Sequence, residues 1–151
     1  AYYVSVTGGR LTEVSALGTK TKHPLYQPEN NSYQNPFGNE VGLFKTSDGG
    51  LSRMAVAWDM KDAHGEKGRV YGSKSADKEA IKRPPLPVGA NGPHHRASHG
   101  YLTNEFIESI LLGKQPTVGI SEALNMTLAG VVAHQSALKD GEWMNIPQYD
   151  L

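Results

Sequence analysis

The clearest pattern in the chain is a pair of segments in which apolar and polar residues alternate. Glu40–Thr46 and Leu51–Trp58 flank the turn residues 47–50, whose two glycines tolerate positive φ angles. Because successive side chains of a strand point to opposite faces, the pattern predicts an antiparallel hairpin with one face in the core. The second strand is predicted to carry two different faces: Met54, Val56 and Trp58 on one, and Arg53, Ala55 and Ala57 on the other.

The amino-terminal part of the chain predicts a helix end, a strand and a long loop. The apolar run Ala1–Val6 is typical of the last turns of a helix, stopped by the glycines at positions 8 and 9. Leu11–Leu17 predicts a strand, and Gly18–Asn39 predicts a long loop with interspersed aromatic residues, which favour an ordered, functional segment. An apolar start without an initiator Met fits either a processed secreted protein or a piece of a longer one.

The carboxy-terminal half predicts two helices. Apolar residues at helical spacing predict an amphipathic helix over Tyr101–Leu112, which Gly113 ends. Ser121 is placed to cap a second, mainly apolar helix over Ala123–Leu138. Four small residues are predicted to let this helix approach the sheet closely: Ala129, Gly130, Ala133 and Ala137.

Shorter segments complete the picture. Glu66–Ser73 predicts a strand, Ser75–Pro93 a proline-rich connection, and Glu142–Ile146 a short edge strand. Together the elements predict an α+β fold, a mostly antiparallel open sheet with helices packed on one face. At 151 residues the chain is the size of one domain, so we expect a single domain over 1–151.

Composition narrows the classes of partner. Fifteen basic and fifteen acidic residues cancel, which disfavours nucleic acid and anionic membranes as partners. The absence of Cys excludes disulfides, thiolate metal sites and thiol nucleophiles. The sequence contains neither a spanning apolar run nor a signal-peptide pattern, so we expect a soluble chain, in the cytoplasm or exported.

Several motifs fall in one order along the chain and together resemble a known family. Phe106–Pro116, Ser121–Leu124, Ala133–Leu138 and Gly141–Trp143 resemble the closing segment of the Gfo/Idh/MocA oxidoreductases, the relatives of glucose-fructose oxidoreductase and inositol dehydrogenase. Pro93–Leu102 is similar to a branch of that family related to nicotinamide-dependent glycosidases. The resemblance covers essentially the whole chain.

The resemblance implies that this chain is the carboxy-terminal, glyceraldehyde-phosphate-dehydrogenase-like domain of an NAD- or NADP-dependent oxidoreductase. The Rossmann domain of the same polypeptide is then absent, and no G-x-G-x-x-G motif occurs here; Gly8-Gly9 and Gly49-Gly50 are interpreted as turn glycines. The family's catalytic lysine would lie in that domain, and its catalytic histidine in a motif just before Ala1. The resemblance therefore implies no catalytic residue in this chain, and a homo-oligomer formed through the open sheet face.

A histidine-rich loop before the first carboxy-terminal helix is the strongest local candidate for a site. Imidazole suits proton transfer and hydroxyl binding because its ordinary pKa lies near neutral pH. We expect this loop to bind a sugar or polyol; a purely structural loop, and a metal site using the i, i+4 pair His95 and His99, are the alternatives. The loop's substrate-binding candidates are His94, His95, Arg96, Ser98 and His99.

The first long loop supplies further candidates. Lys20, Lys22 and Tyr26 combine cationic donors with an aromatic face, which is how sugars are commonly held. His23 and Tyr33 add to that set, and Asp62, His64 and Glu66 are weaker candidates near the hairpin. Two other side chains are expected to be structural: His134 as a hydrogen-bonded core histidine, and Trp58 as a core or subunit-contact residue.

The predicted function is the substrate-binding and oligomerisation domain of an NAD(P)-dependent oxidoreductase that acts on a sugar, polyol or related compound. The alternatives are a non-catalytic carbohydrate-binding or assembly module and a domain of a nicotinamide-assisted glycosidase. The isolated chain is expected neither to bind a dinucleotide nor to transfer hydride, because the phosphate-binding turn is outside it.

Overall fold

The computed structural model describes residues 2–61, 68, 69, 71, 72, 85 and 98–150. The chain divides into two compact units: Ala1–Val70 together with Ile120–Leu151, and Tyr71–Gly119. The first unit contains the sheet, and the described residues of the second unit contain one helix. The expectation of a single domain remains a prediction.

A four-stranded antiparallel sheet forms the first unit. Its strands are β1 (Leu11–Lys20), β2 (Phe37–Thr46), β3 (Leu51–Ala57) and β4 (Met144–Asn145), in the order β3-β2-β1-β4. The predicted hairpin is confirmed as β2 and β3, and Gly49 takes a φ of +83° in the turn between them. The predicted open, antiparallel α+β class is likewise confirmed.

Three α-helices occur among the residues that the structure describes. The expected helix end is α1 (Tyr2–Thr7), and the two carboxy-terminal helices are α2 (Ser98–Leu112) in the second unit and α3 (Ile120–Ala137) in the first. As predicted, Gly113 ends α2, with a φ of +62°. The prediction that Ser121 caps α3 is wrong because the helix starts one residue earlier. Ser121 lies in the first turn, and its hydroxyl donates to the carbonyl of Tyr149 at 2.5 Å.

The core lies between α3 and one face of the sheet. Val14 and Ala16 of β1 pair with Phe44 and Gly42 of β2, and this face of β1 is buried. Gly42 is required there, because an added Cβ would lie 2.9 Å from the Phe44 ring. Small residues of α3 face the strands as predicted, except that Gly130 is on the exposed side. The buried apolar residues of α3 are Ala129, Val132, Ala133 and Ala137.

The strand boundaries differ from the prediction in the first half of the chain. β1 extends to Lys20 and β2 begins at Phe37, so the connecting loop covers only residues 21–36 and includes two short 3-10 turns. The loop was overpredicted because polar strand residues pair with one another, as in Thr19 opposite Asn39. β4 is shorter than predicted, and most of Glu66–Ser73 and Ser75–Pro93 lies outside the described residues.

The segment from Ile146 to Tyr149, which follows β4, is hydrogen-bonded to β1 and to α3. The Ile146 N–H donates to the carbonyl of Thr12, and the side-chain amide of Gln148 donates to the carbonyl of Leu11. Asn125 both donates to the carbonyl of Tyr149 and accepts from its N–H, at 3.1 Å in each case. None of the helices in the described part of the chain combines the length and apolar character needed to cross a bilayer.

Candidate functional site

One end of the sheet gathers several of the predicted residues. We call it the loop edge: the loop 21–36 with the flanking strand residues 18–20 and 37–40. The loop is held by its own amide side chains rather than by apolar burial. Asn31 donates to the carbonyls of Gln27 and Asn35 and accepts from the N–H of Asn35, at 2.8 to 3.1 Å. The loop therefore has a defined backbone path in spite of its polar composition.

The predicted sugar-binding residues of the first loop are all described. His23 Nδ1 accepts the N–H of Leu25 at 3.3 Å and so caps the first 3-10 turn. The rings of His23 and Tyr26 lie 5.1 Å apart between centroids, and Tyr26 is half-buried. Lys20 ends β1 and Lys22 follows in the loop, both exposed. The other aromatic candidate, Tyr33, is 91% exposed. The geometry thus brings His23 and Tyr26 together.

A carboxylate and an imidazole meet at the loop edge, and sequence analysis did not anticipate the pair. Glu40 Oε1 of β2 lies 2.6 Å from His134 Nδ1 in the last turn of α3. Their side chains retain 21% and 29% of their accessible surface. The ring of Phe37 meets the His134 ring edge-on, with 5.9 Å between centroids and an interplanar angle of 75°. The expectation of a hydrogen-bonded histidine is met, but His134 is half-buried.

Phe37 can take this place because residue 18 is a glycine. An added Cβ at Gly18 would lie 2.3 Å from Cγ of Phe37, so the ring occupies the space that a side chain would need. Phe37 also pairs across the sheet with Lys20. The aromatic ring, the Glu40–His134 pair and the predicted Lys20 therefore share one end of the sheet.

The histidine-rich loop lies mostly outside the described residues, as do His94, His95 and Arg96. Asp62, His64 and Glu66 are outside them as well. Ser98 and His99 begin α2 in the second unit, where Ser98 is half-buried and His99 is exposed. Neither the metal alternative nor the sugar-binding interpretation of this loop is tested. Within the described part of the chain, no group of three or more potential metal-ligating side chains occurs.

An open cleft of about 720 Å³ lies beside α2 within the second unit. Its acidic side chains are already hydrogen-bonded inside the unit. The N–H of Thr117 donates to Glu105 at 2.5 Å, and hydrogen bonding by Thr117 holds the pKa of that carboxyl below its ordinary value. Lys114 pairs with Glu108 and lowers its pKa in the same way. These contacts fasten the segment after α2 back onto the helix.

The sheet face opposite α3 carries a row of exposed apolar residues. Leu17 and Val41 pair across β1 and β2, and Leu43 is the next outward residue of β2. They are 63%, 48% and 53% exposed. At the border of this face, the Lys45 ammonium lies 5.1 Å from the centroid of the Trp143 ring. By contrast Trp58, which follows β3, is 70% exposed, so it is not a core residue, and its alternative role as a subunit contact stays a prediction.

Solved structures of sugar and polyol oxidoreductases have a similar fold. The myo-inositol 2-dehydrogenase of Lactobacillus plantarum matches with a TM-score of 0.57 and 16% identity, over 96% of this chain and 45% of that one. A putative myo-inositol dehydrogenase of Sinorhizobium meliloti 1021 gives 0.63 and 15% identity, over 93% and 45%. Levoglucosan dehydrogenase in complex with NADH and L-sorbose gives 0.59 and 12% identity, over 93% and 46%.

These comparisons confirm, at the level of the fold, the resemblance to Gfo/Idh/MocA-type oxidoreductases. The chain has the fold of the carboxy-terminal domain of such dehydrogenases, and it spans about 45% of the length of the structures it matches. No protein-family model matches the chain, and no curated protein sequence matches it.

Proposed function

We propose that this chain is the substrate-side domain of a nicotinamide-dependent oxidoreductase that acts on a sugar, a polyol or a related compound, and that it belongs to the Gfo/Idh/MocA family. One observation carries the proposal: the fold match extends over more than nine tenths of the chain, to structures described as inositol and levoglucosan dehydrogenases. The motifs in the last third of the sequence, which follow one another in the order found in the family, support the same assignment independently of the fold.

The proposed substrate contacts come from two loops. In the first, Lys20, Lys22 and Tyr26 at the loop edge supply cationic donors and an aromatic face. In the second, the histidine-rich segment from His94 to His99 supplies three imidazoles, the Arg96 guanidinium and the Ser98 hydroxyl. Hydroxyl-rich ligands are typically held by a few such polar groups together with a ring face, which supports this choice of residues.

The proposed cofactor is NAD or NADP, held by a nucleotide-binding domain of the same polypeptide. Levoglucosan dehydrogenase is described in complex with NADH, and an Agrobacterium radiobacter oxidoreductase of similar fold in complex with NAD+. In this division of labour the cofactor carries the hydride, and the present chain binds and orients the substrate. No residue of the present chain is proposed to transfer the proton.

The proposed assembly role rests on the open sheet face. A row of outward apolar residues on a sheet covered on its other side is typical of a subunit interface. We propose that two copies of the chain pair through it. Val41 and Val131 provide a matched test, because they are 48% and 46% exposed but lie on the open sheet face and on α3 respectively.

Val41→Glu should convert the oligomer to a monomer in light scattering, whereas Val131→Glu should leave the mass unchanged. A wild-type chain that remains monomeric at high concentration would contradict the assembly role and leave the enzymatic proposal standing.

The enzymatic proposal is tested by recovering the coding sequence upstream of Ala1 and expressing the longer protein. A Rossmann fingerprint followed by a histidine motif is expected, together with NAD- or NADP-dependent oxidation of compounds such as myo-inositol or levoglucosan. A longer protein without a dinucleotide-binding domain would refute the proposal and favour a non-catalytic module.

A further inference from the structure

The Glu40–His134 pair joins residues 94 positions apart through a 2.6 Å contact. An ionised carboxylate can only accept hydrogen bonds, so the imidazole donates from Nδ1. When such a ring is uncharged, its Nε2 is a hydrogen-bond acceptor. A carboxylate that fixes the tautomer of a histidine in this way is the common support for a histidine whose second nitrogen binds something else.

Packing alone gives little reason for an ionisable pair at this position. Across the sheet, Glu40 pairs with Gly18 on one side and Val56 on the other. Desolvating a carboxylate and an imidazole is costly, and an apolar pair of similar volume would join α3 to β2 at least as well. Within the described part of the chain, His134 Nε2 has no hydrogen-bond partner.

The surroundings of the imidazole fit a neutral, hydroxyl-bearing ligand. The partly buried Phe37 ring meets His134 edge-on and places an apolar group beside the imidazole, and sugar C–H groups commonly rest against such rings. The Glu40 carboxylate repels anions, so a carboxylate or phosphate ligand is disfavoured beside it. Both side chains are partly accessible, which leaves room for contact with a small molecule.

We propose that His134, held in one tautomer by Glu40, is a binding residue that accepts a hydrogen bond at Nε2 from a hydroxyl of the sugar or polyol ligand. The chemical class of the ligand rests on the proposed function, whereas the tautomer and the free acceptor rest on the geometry of the pair. Neither residue was among the predicted substrate contacts.

Two substitutions of His134 separate binding from packing. The amide nitrogen of Asn can stand where Nδ1 stands, so His134→Asn keeps a donor to Glu40 and removes the Nε2 acceptor. His134→Gln places its amide further out and loses the contact with Glu40. If His134 only fastens α3 to β2, the Asn variant should behave like wild type in every measurement.

The experiment uses the 151-residue chain labelled with ¹⁵N in its histidine rings. The ring-nitrogen shifts of wild type should report the Nδ1–H tautomer at alkaline pH, and Glu40→Gln should yield a mixture of tautomers. Titration with myo-inositol, levoglucosan and L-sorbose should then displace the His134 Nε2 signal. His134→Asn should retain the wild-type stability but weaken binding by about tenfold, the cost of one hydrogen bond to an uncharged ligand.

Equal affinity in wild type and His134→Asn would overturn the proposal, as would an unshifted Nε2 signal at the solubility limit of all three compounds. His99→Gln is the comparison variant, because it tests the histidine-rich loop. Weaker binding in His99→Gln but not in His134→Asn would support the proposed function and refute the role of His134. If ligand binding depends on His134 in a longer protein that lacks dehydrogenase activity, the role of His134 is supported and the proposed function is refuted.

Discussion

Ser136 offers the sharpest test of how the sheet is joined to α3. Its side chain is fully buried, and its hydroxyl accepts the N–H of Ala16 at 2.9 Å while donating to the carbonyl of Glu142 at 2.6 Å. β4 pairs with β1 only opposite Glu13 and Val14. The Ser136 hydroxyl therefore takes the place of a strand partner opposite Ala16, just before β4 begins.

Ser136→Ala should destabilise the sheet-containing unit by about 1.5–3.5 kcal/mol. Leaving the buried N–H of Ala16 unpaired costs about 1–3 kcal/mol, and the lost bond to Glu142 adds about 1 kcal/mol. The higher helix propensity of Ala returns about 0.5 kcal/mol. No water can replace the hydroxyl, because the space vacated by one oxygen atom is too small to hold one.

Urea unfolding followed by circular dichroism measures the loss. With a slope of about 2 kcal/mol per molar, the unfolding midpoint should fall by about 1 M without a change in slope. Thr127→Ala, which removes a hydroxyl from the exposed side of the same helix, is the control and should leave stability unchanged or slightly raised. A Ser136→Ala loss below about 0.5 kcal/mol would refute the argument that the hydroxyl substitutes for a strand.

Further tests address the turns, the pH response and the cofactor. Gly141→Ala should lower the free energy of unfolding by about 1–2 kcal/mol in urea, more than Gly49→Ala does. Both glycines have positive φ, but only at residue 141 would the new Cβ meet a neighbour, Leu17 Cδ2 at 3.1 Å. A hydrogen bond from Thr46 holds the pKa of Asp48 below its ordinary value of 3.8. The ionised Asp48 therefore stabilises the fold above pH 3.8, and this stabilisation is lost as the pH falls through the lower pKa of the folded state. Asp48→Asn should therefore show a smaller loss of unfolding free energy below about pH 4 than wild type; equal pH dependence would contradict the assignment. Titration with NADH followed by fluorescence should show no saturable binding to the isolated chain, and micromolar affinity would refute the reading of the chain as a substrate-side domain.

The elements that sequence predicted well are those in which one physical signal dominates. Strict alternation and two turn glycines indicated the hairpin of β2 and β3, and apolar spacing with a terminal glycine indicated α2. The paired ends of β1 and β2 were missed because Thr19, Lys20 and Asn39 are polar. Their strand conformation comes from backbone pairing with each other, which local composition does not report.

The candidate site was predictable only in part, for a related reason. Lys20, Lys22 and Tyr26 stand close together in the sequence, so their combination of charge and ring could be noticed. Glu40 and His134 are each unremarkable alone, one at the start of a predicted strand and the other on an apolar helix. Only the pairing of β1 with both β2 and α3 brings them to 2.6 Å.

The alternation that builds the core also determines what remains for function. Because side chains of a strand alternate, burying Val14 and Ala16 under α3 necessarily turns Leu17, Val41 and Leu43 outward. Polar residues at these outward positions would not disturb the core, and the neighbouring outward positions are indeed polar, namely Ser15 and Lys45. Stability and the proposed assembly are therefore separable in this sheet. A charge at residue 41 should leave the unfolding midpoint of the dilute chain intact and act only on the proposed association.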